Sequence, residues 1–302
     1  MYKNFWKTYL TENFLDSALI LANIALSFDD QLAEAYVLRG SFYWYNNNRE
    51  QAIIEFDKAI KYNPNIWRAH WFKGWVYMHD DLVKTIDNIH IAASLQRGPF
   101  LPLILRKIGY AYEIAGFMDK AMYYESEALK LDGDSARYYS FLADVEHSIG
   151  NYEKAIDFGE RSYAIDSTDL WVIYRLGIMH AWLGHAEESL EYMKIYDRRL
   201  GTHDRPFPHR NFRIGHAYWI NGYKEEAECY FNKGLENLNK MIELSHNYVQ
   251  DFHLFYNLAA IYAFQGDKDK AFENLRILNQ RQKMPIWMVA NIKDDPMFDS
   301  IR

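Results

Sequence analysis

The sequence predicts an all-α fold, a right-handed superhelical solenoid of about eight helix-turn-helix repeats with a C-terminal capping helix, and three observations carry that prediction. A pattern of small and aromatic residues returns seven times at a spacing near 34. Small residues recur where the two helices of one repeat, A and B, would approach closely, with a glycine in several of the turns between them. No stretch offers a strand on which a phosphate loop or a nucleophile elbow could sit.

The repeats are followed in order. Residues 1–32 form a partial copy that keeps Ala18 and Ala25 at the two close-packing sites of helix B and reads as cut from a longer chain. The second copy, 33–66, shows the pattern best, with Ala33, Tyr36, Gly40, Tyr43, Ala52, Phe56, Ala59 and Pro64. The third, 67–101, carries Gly74, Tyr77 and Ala93, and gains one residue around Gly98-Pro99, a turn dipeptide. Gly109, Tyr112, Gly116, Ala121 and Ala128 mark 102–135; Ala143, Gly150 and Ala155 mark 136–169; Gly177, Gly184 and Ser189 mark 170–203. Residues 201–208 insert a breaker-rich loop before the seventh copy, 208–241, with Gly215, Tyr218, Gly222, Ala227, Phe231 and Gly234. The stretch 242–251 has no breaker and reads as extension of the flanking helices. The eighth copy is 252–285, and 286–301 reads as the capping helix, with Trp287, Val289 and Ile292 on its apolar stripe. Because a solenoid grows by units that touch only their neighbours, 1–302 reads as one continuous array. Three residues depart from the pattern: Glu125, His90 and Gly159 stand where helix B should offer an aromatic. A buried glutamate is costly, so either the register slips by one and Tyr124 fills the gap, the preferred reading, or Glu125 is paired.

In the order of Tyr36, Gly40, Tyr43, Ala52, Phe56, Ala59 and Pro64 the chain resembles the tetratricopeptide-repeat family, and the resemblance covers nearly its whole length. A narrower resemblance lies in Leu95-Gln96-Arg97-Gly98-Pro99, Leu129 to Ser135, Tyr163 to Thr168 and the ending Asp295-Pro296-Met297-Phe298-Asp299-Ser300-Ile301-Arg302. These phrases are similar to the C-terminal repeat halves of bacterial multidomain regulators, in which the repeats follow a helix-turn-helix or cyclase-like module. That resemblance implies the partner- or ligand-binding part of a bacterial regulatory protein connected with transcription.

Composition narrows the setting. The chain is 49% hydrophobic and 25% charged, and no run of 18 apolar residues suggests a membrane span. A net charge of −7 with interspersed signs argues against nucleic acid as the principal partner. Cys229 is the only cysteine, so no intrachain disulfide forms, and the cytoplasm is the expected compartment. Met1 to Trp6 lack the regions of a signal peptide, although a fragment beginning inside a longer protein would have lost one.

Helix A of each repeat is expected to line the groove with its second, fifth, sixth, ninth, twelfth and thirteenth positions. Among these the candidate ligand-binding residues are Trp71, Trp75, Arg106, Tyr110, Arg137, Asp144, Tyr174, Arg175, Phe212, Arg213, His216 and Tyr256. The same positions also hold Trp44, His79, Lys107, His147, Trp182, His209, His253 and Asn257. Rings supply area at small entropic cost and guanidinium forks select carboxylates, which suits a protein or peptide carrying acidic groups. The bland alternatives are rings packed between helices, as expected for Phe72, Phe141 and Trp182, and arginines that are solvated or salt-bridged. The lysine, asparagine and arginine set of a carboxylate clamp does not appear in register, which disfavours chaperone-tail binding.

No metal or cofactor is expected. His180 and His185 are five apart, His209 and His216 seven apart, and no His-Glu-x-x-His or Cys-x-x-Cys spacing occurs. Asp132-Gly133-Asp134-Ser135 lacks the further ligands of a calcium loop and reads as a turn in which Gly ends one helix and Asp or Ser caps the next. Asp144 and His147 share a face without a nucleophile, so the chain reads as non-enzymatic. The leading function is a protein- or peptide-binding scaffold; the alternative is a small-molecule sensor whose aromatic groove takes a sugar or metabolite.

Overall fold

A computed structural model of the chain describes residues 15–78, 81–202, 211–243, 252–281, 288 and 292–302. They form α-helices and a short 3₁₀ helix, with no strand among the described residues. The chain divides into two compact units, one of residues 11–133 and one taking in 134–244 and 248–302.

In the first unit, α1 (Leu15–Phe28) packs on the first complete helix pair, α2 (Ala33–Tyr45) and α3 (Arg49–Tyr62). Ala22 is its fully buried residue, while Ala18 and Ala25, the two predicted close-packing sites, are only half-buried. The next pairs are α4 (Trp67–Tyr77) with α5 (Leu82–Leu95) and α6 (Leu101–Ile114) with α7 (Met118–Asp132). In the second unit the pairs are α8 (Ser135–Ser148) with α9 (Tyr152–Ile165), α10 (Leu170–Trp182) with α11 (Ala186–Thr202), α12 (Asn211–Ile220) with α13 (Lys224–Glu243), and α14 (Phe252–Phe264) with α15 (Lys268–Arg281). A 3₁₀ helix, Pro296–Ile301, follows.

Each pair closes around the predicted small residue of helix A. A Cβ on Gly40 would lie 2.5 Å from the Phe56 ring, and one on Gly215 would lie 3.0 Å from the Ala227 carbonyl and 3.1 Å from Phe231, so no larger side chain lets the two helices meet. Where helix B has a polar residue at a close-packing site, it donates to the facing helix: Ser189 Oγ to the Gly177 carbonyl at 2.8 Å and Ser162 Oγ to that of Ala136 at 2.7 Å.

The turns explain the glycines. Gly116, Gly150, Gly184, Gly222 and Gly266 all have φ between 77° and 85°, and Asn47 holds the same place at 61°. The next residue's N–H reaches back to the carbonyl five residues earlier, as from Asn48 to Tyr43 at 2.8 Å and from Asn151 to Glu146 at 2.9 Å, which satisfies helix-end carbonyls in the left-handed capping motif. Pair α4/α5 differs. There Gly74 faces Ile89, with Cγ1 2.6 Å from a Cβ built on the glycine, and Asp81 caps α5 by accepting from the Lys84 N–H at 3.0 Å. The A–B connection is therefore one residue shorter than elsewhere, so Ala92, not the predicted Ala93, is the fully buried alanine of α5.

This locates the register slip correctly. It lies in the third repeat, where Ile89 takes the aromatic's slot and His90 turns to the next pair between Tyr112 and Tyr124, whose own rings stack 5.6 Å apart. The fourth repeat does not slip: Glu125 occupies its slot against Gly109, buried, with Oε2 3.4 Å from Arg106 Nε. The preferred reading of Tyr124 filling the gap is overturned because the arginine supplies the charge that makes a buried glutamate tolerable.

Three boundaries also move. α11 continues through Gly201 and Thr202, where a loop was expected, and 203–208 lie outside the described residues. α13 runs 20 residues to Glu243, extending as expected; 244–251 lie outside the described residues. The expected capping helix 286–301 is not one α-helix: Asp295 is extended at φ −67° and ψ 116°, and Pro296 starts the 3₁₀ turn, since a residue before proline is pushed out of the helical region. Trp287 and Val289 of the expected stripe lie outside the described residues, and Ile292 packs half-buried on the last core cluster.

Candidate functional site

In the first unit the A helices bring aromatic rings into one run. Trp44 of α2 lies 6.4 Å from Trp75 of α4, which is 5.9 Å edge-on from Trp71. The Lys107 ammonium of α6 stands 4.9 Å from the Trp75 ring centre and 5.3 Å from that of Tyr110. All of these side chains are half-buried, so each presents part of its surface. They come together from successive A helices, Trp44 at the twelfth residue of α2, Trp71 and Trp75 at the fifth and ninth of α4, and Lys107 at the seventh of α6. Arg106, predicted on the same face, is buried at 5% exposure, and its fork holds Asp132 at 2.6 and 3.1 Å as well as facing Glu125. Its position one residue before Lys107 turns it inward, toward helix B. Phe72, expected to be structural, stacks on Phe56 at 5.9 Å.

The second unit treats its candidates differently. Asp144 of α8 accepts from Trp171 Nε1 at 3.1 Å and lies 2.9 Å from Arg175 Nε, tying α8 to α10; the Arg175 guanidinium also lies 5.3 Å from the Trp171 ring. Tyr174 packs on Tyr196 at 5.2 Å in the core, and Phe212 is fully buried between helices. Arg213 and Tyr256 converge on Asp295. The Arg213 fork meets both carboxylate oxygens, with Nη1 to Oδ1 at 2.9 Å, and the Tyr256 hydroxyl donates to Oδ2 at 2.7 Å. All three side chains are buried. Burial alone favours neutral Asp295, yet the Arg213 charge and these donors outweigh it and hold its carboxyl below the usual range. Burial would likewise lower the Arg213 value, and Asp295 reverses that and raises it.

Two buried histidines flank this pair. His216 is pushed down to about 4, first by burial and then by Arg213, and packs edge-on against Phe264 at 5.5 Å. His147 is driven well below its ordinary value by burial, then by Arg175 and Arg213, and packs against Trp182 at 4.9 Å. Both imidazoles are neutral near pH 7.

The arginine expectations are thereby corrected. Arg106, Arg175 and Arg213 hold carboxylates of this chain, because a guanidinium turned toward a dry interface must be paired. Arg137 alone of the four is exposed, with no side-chain partner among the described residues. His79 and His209 lie outside the described residues. Sequence reasoning missed Asp295 as the occupant of Arg213; its signal was an aspartate directly before Pro-x-Phe at the chain's end.

Other possible chemistry is modest. His180 and His185 approach at 3.3 Å between Nδ1 atoms, and His180 stacks on Tyr192. No group of three or more His, Cys, Asp or Glu able to hold a metal occurs among the described residues. Gly133 at φ 70° ends α7, and Asp134 caps α8 through the Arg137 N–H at 3.0 Å, so the calcium-like phrase is a turn. No helix of the described residues is long and apolar enough to cross a membrane.

Comparison with known proteins agrees with the helix pairs. Tetratricopeptide-repeat family models match residues 33–66 and 209–237, and a second such model matches 121–169. Tetratricopeptide repeat protein 6 of Homo sapiens is 26% identical over 63% of this chain, and anaphase-promoting complex subunit 3 of Schizosaccharomyces pombe 28% identical over 59%. The aligned parts span only 36% and 27% of those relatives. Among solved structures, the anaphase-promoting complex hetero-tetramer Cut9-Hcn1 aligns over 93% of this chain and 52% of its own at a TM-score of 0.55 and 15% identity. A tetratricopeptide repeat protein from Parabacteroides merdae aligns over 87% and 98%, with TM-score 0.53 and 12% identity. Those two likenesses bear on the fold alone. Joined to the 34-residue period and the A–B packing at Gly40 and Gly215, they show a tetratricopeptide-repeat fold, with repeats of that family matched at 33–66, 121–169 and 209–237.

Proposed function

We propose that the chain is a non-catalytic scaffold that binds a protein or peptide, and that the aromatic face of the first unit receives an acidic segment of its partner. The observation that carries this reading is the run of partly exposed rings, Trp44, Trp75 and Trp71, drawn from successive A helices with the Lys107 ammonium beside it. Rigid rings lose little entropy on contact, and an ammonium among them favours a carboxylate-bearing ligand over a neutral one. In the second unit Arg137 is the arginine of the predicted set left exposed for the same purpose. Two of the similar proteins are, by their names, parts of a multi-protein complex, which agrees with a scaffold role. The resemblance of the inter-repeat phrases and the ending to bacterial regulators supports a further reading, that this is the partner-binding part of such a regulator, acting in the cytoplasm and not itself contacting nucleic acid.

The test uses a peptide array graded in acidic content, followed by titration of the best binder. Replacing Trp71 and Trp75 by alanine should weaken binding by about tenfold or more, the scale of an aromatic hot spot, while circular dichroism stays unchanged. An array in which acidic and neutral peptides bind alike would remove the acidic partner. A thermal shift from a sugar or metabolite library with none from peptides would put the small-molecule sensor in its place.

A further inference from the structure

The A-helix side of the second unit already holds a peptide, the chain's own residues 294–301. Asp295 is held as a bound ligand's carboxylate would be, with both oxygens on the Arg213 fork, the Tyr256 hydroxyl at 2.7 Å, and the Met297 N–H at 3.1 Å completing a turn that presents it. Phe298 is fully buried and sets its ring edge-on to Tyr256 at 5.4 Å. Asp294 accepts a 2.7 Å hydrogen bond from the Tyr152 hydroxyl, so the segment reaches back to a helix 142 residues earlier. Pro296 fixes a short 3₁₀ turn, and the segment forms no helix pair of its own. A buried ion pair contributes little net stability relative to a well-packed apolar filling, so stability alone does not select arginine and aspartate here; a fork that reads a carboxylate does.

We infer that this pocket is a recognition site for a peptide in which an aspartate precedes Pro-x-Phe, filled in cis by residues 294–301 and exchangeable for a partner protein's segment of the same pattern. The covalent tether keeps the cis segment at an effective concentration of about millimolar order, so the intact chain resists free peptide. A partner displaces the segment when it offers the same aspartate and phenylalanine together with contacts elsewhere. The inference stands apart from the aromatic face of the first unit, and its test reads Arg213, not Trp71.

The probe is a fluorescein-labelled peptide matching 293–302, titrated by anisotropy against the full-length chain and against the full-length Asp295→Asn/Phe298→Ala variant. The variant should bind at least about tenfold tighter than the wild type, because its own segment no longer competes. Adding Arg213→Met should remove that binding, a peptide with asparagine at the Asp295 position should fail to bind, and Trp71→Ala should change nothing. A folded variant that binds the peptide no better than the wild type overturns the inference. Should the variant not fold, a protease site placed within 282–291 of the wild-type chain is cut after folding and labelled peptide added; displacement of the released segment supports the inference, and its retention at saturating peptide overturns it.

Discussion

The A helices of the two units are covered to different extents. In α12 every residue from Asn211 to Ala217 is buried, whereas α4 buries Ala69, His70, Gly74 and Val76 and leaves its three tryptophans partly exposed. Both units pack a glycine of helix A against a larger side chain of helix B, as at Gly40 against Phe56 and Gly215 against Phe231. What differs is the other side. In the second unit residues 294–301 bring Asp295 onto Arg213 and Tyr256 and bury them. The lesson is that a solenoid repeat fixes which residues face away from helix B, and a covering segment then decides whether those residues form a surface or an interior. Charge follows suit: Arg213 has a fully buried partner, while Arg106 in the first unit shares itself with Asp132, which is 29% exposed at its side chain.

The largest test of that contrast removes Arg213. Arg213→Ala leaves Asp295 buried and uncompensated and should cost about 3–5 kcal/mol in urea denaturation, whereas Arg137→Ala, on an exposed side chain of the same unit, should stay within about 0.5 kcal/mol. Equal costs would mean that the ion pair does not anchor the terminal segment.

Acid should separate the units next. The His216 value falls from near 6.5 unfolded to about 4 folded, so the unfolded chain takes up the proton first as pH drops. Stability is therefore unaffected above about pH 6.5 and declines between there and about pH 4, by about 3 kcal/mol for this group, with His147 adding in the same direction. Below that window Asp295, whose folded value is depressed, begins to lose its own contribution as it protonates. His70 and His90 of the first unit are lowered too, by burial first, but are less enclosed. Hydrogen exchange at pH 7 and pH 5 should show greater loss of protection in 211–220 than in 33–62; the reverse order would break the comparison.

A smaller effect sharpens it inside the first unit. Arg106→Ala should cost about 1–3 kcal/mol by stranding Glu125, while Arg106→Met combined with Glu125→Phe should recover most of this, because phenylalanine fills the equivalent slot in the second and seventh repeats. Thermal denaturation of the single and double variants checks it. Smallest are the turns, where both units obey one rule: Gly150→Ala should cost about 1–2 kcal/mol for the left-handed conformation, and Asn47→Gly should change stability by only a few tenths. A neutral Gly150→Ala would mean that the turn relaxes.

The sequence specified much at close range. Gly40, Gly215 and Phe231 announced the A–B contacts because only a residue without a side chain lets two helices approach so closely, and Gly116 to Gly266 announced the turns because a positive φ excludes most others. The third repeat was misread at Ala93 because its A–B connection is one residue short and the later insertion around Gly98-Pro99 more than offsets this, so the overall length hides that the close-packing site of its second helix falls one residue earlier, at Ala92. Arg106, Arg175 and Arg213 stood at the expected positions, yet a sequence does not say whether a guanidinium meets solvent or a carboxylate from another helix.

Thus the repeat period, the helix pairs and the turn glycines were determined by sequence alone, since each depends on contacts within about one repeat and on local backbone sterics. The burial of α12, the seat of Asp295 on Arg213 and Tyr256, and the pairing of Glu125 were decided only in three dimensions. Those contacts join residues up to 82 positions apart, and a buried charge is tolerated or not according to a partner that no local pattern names.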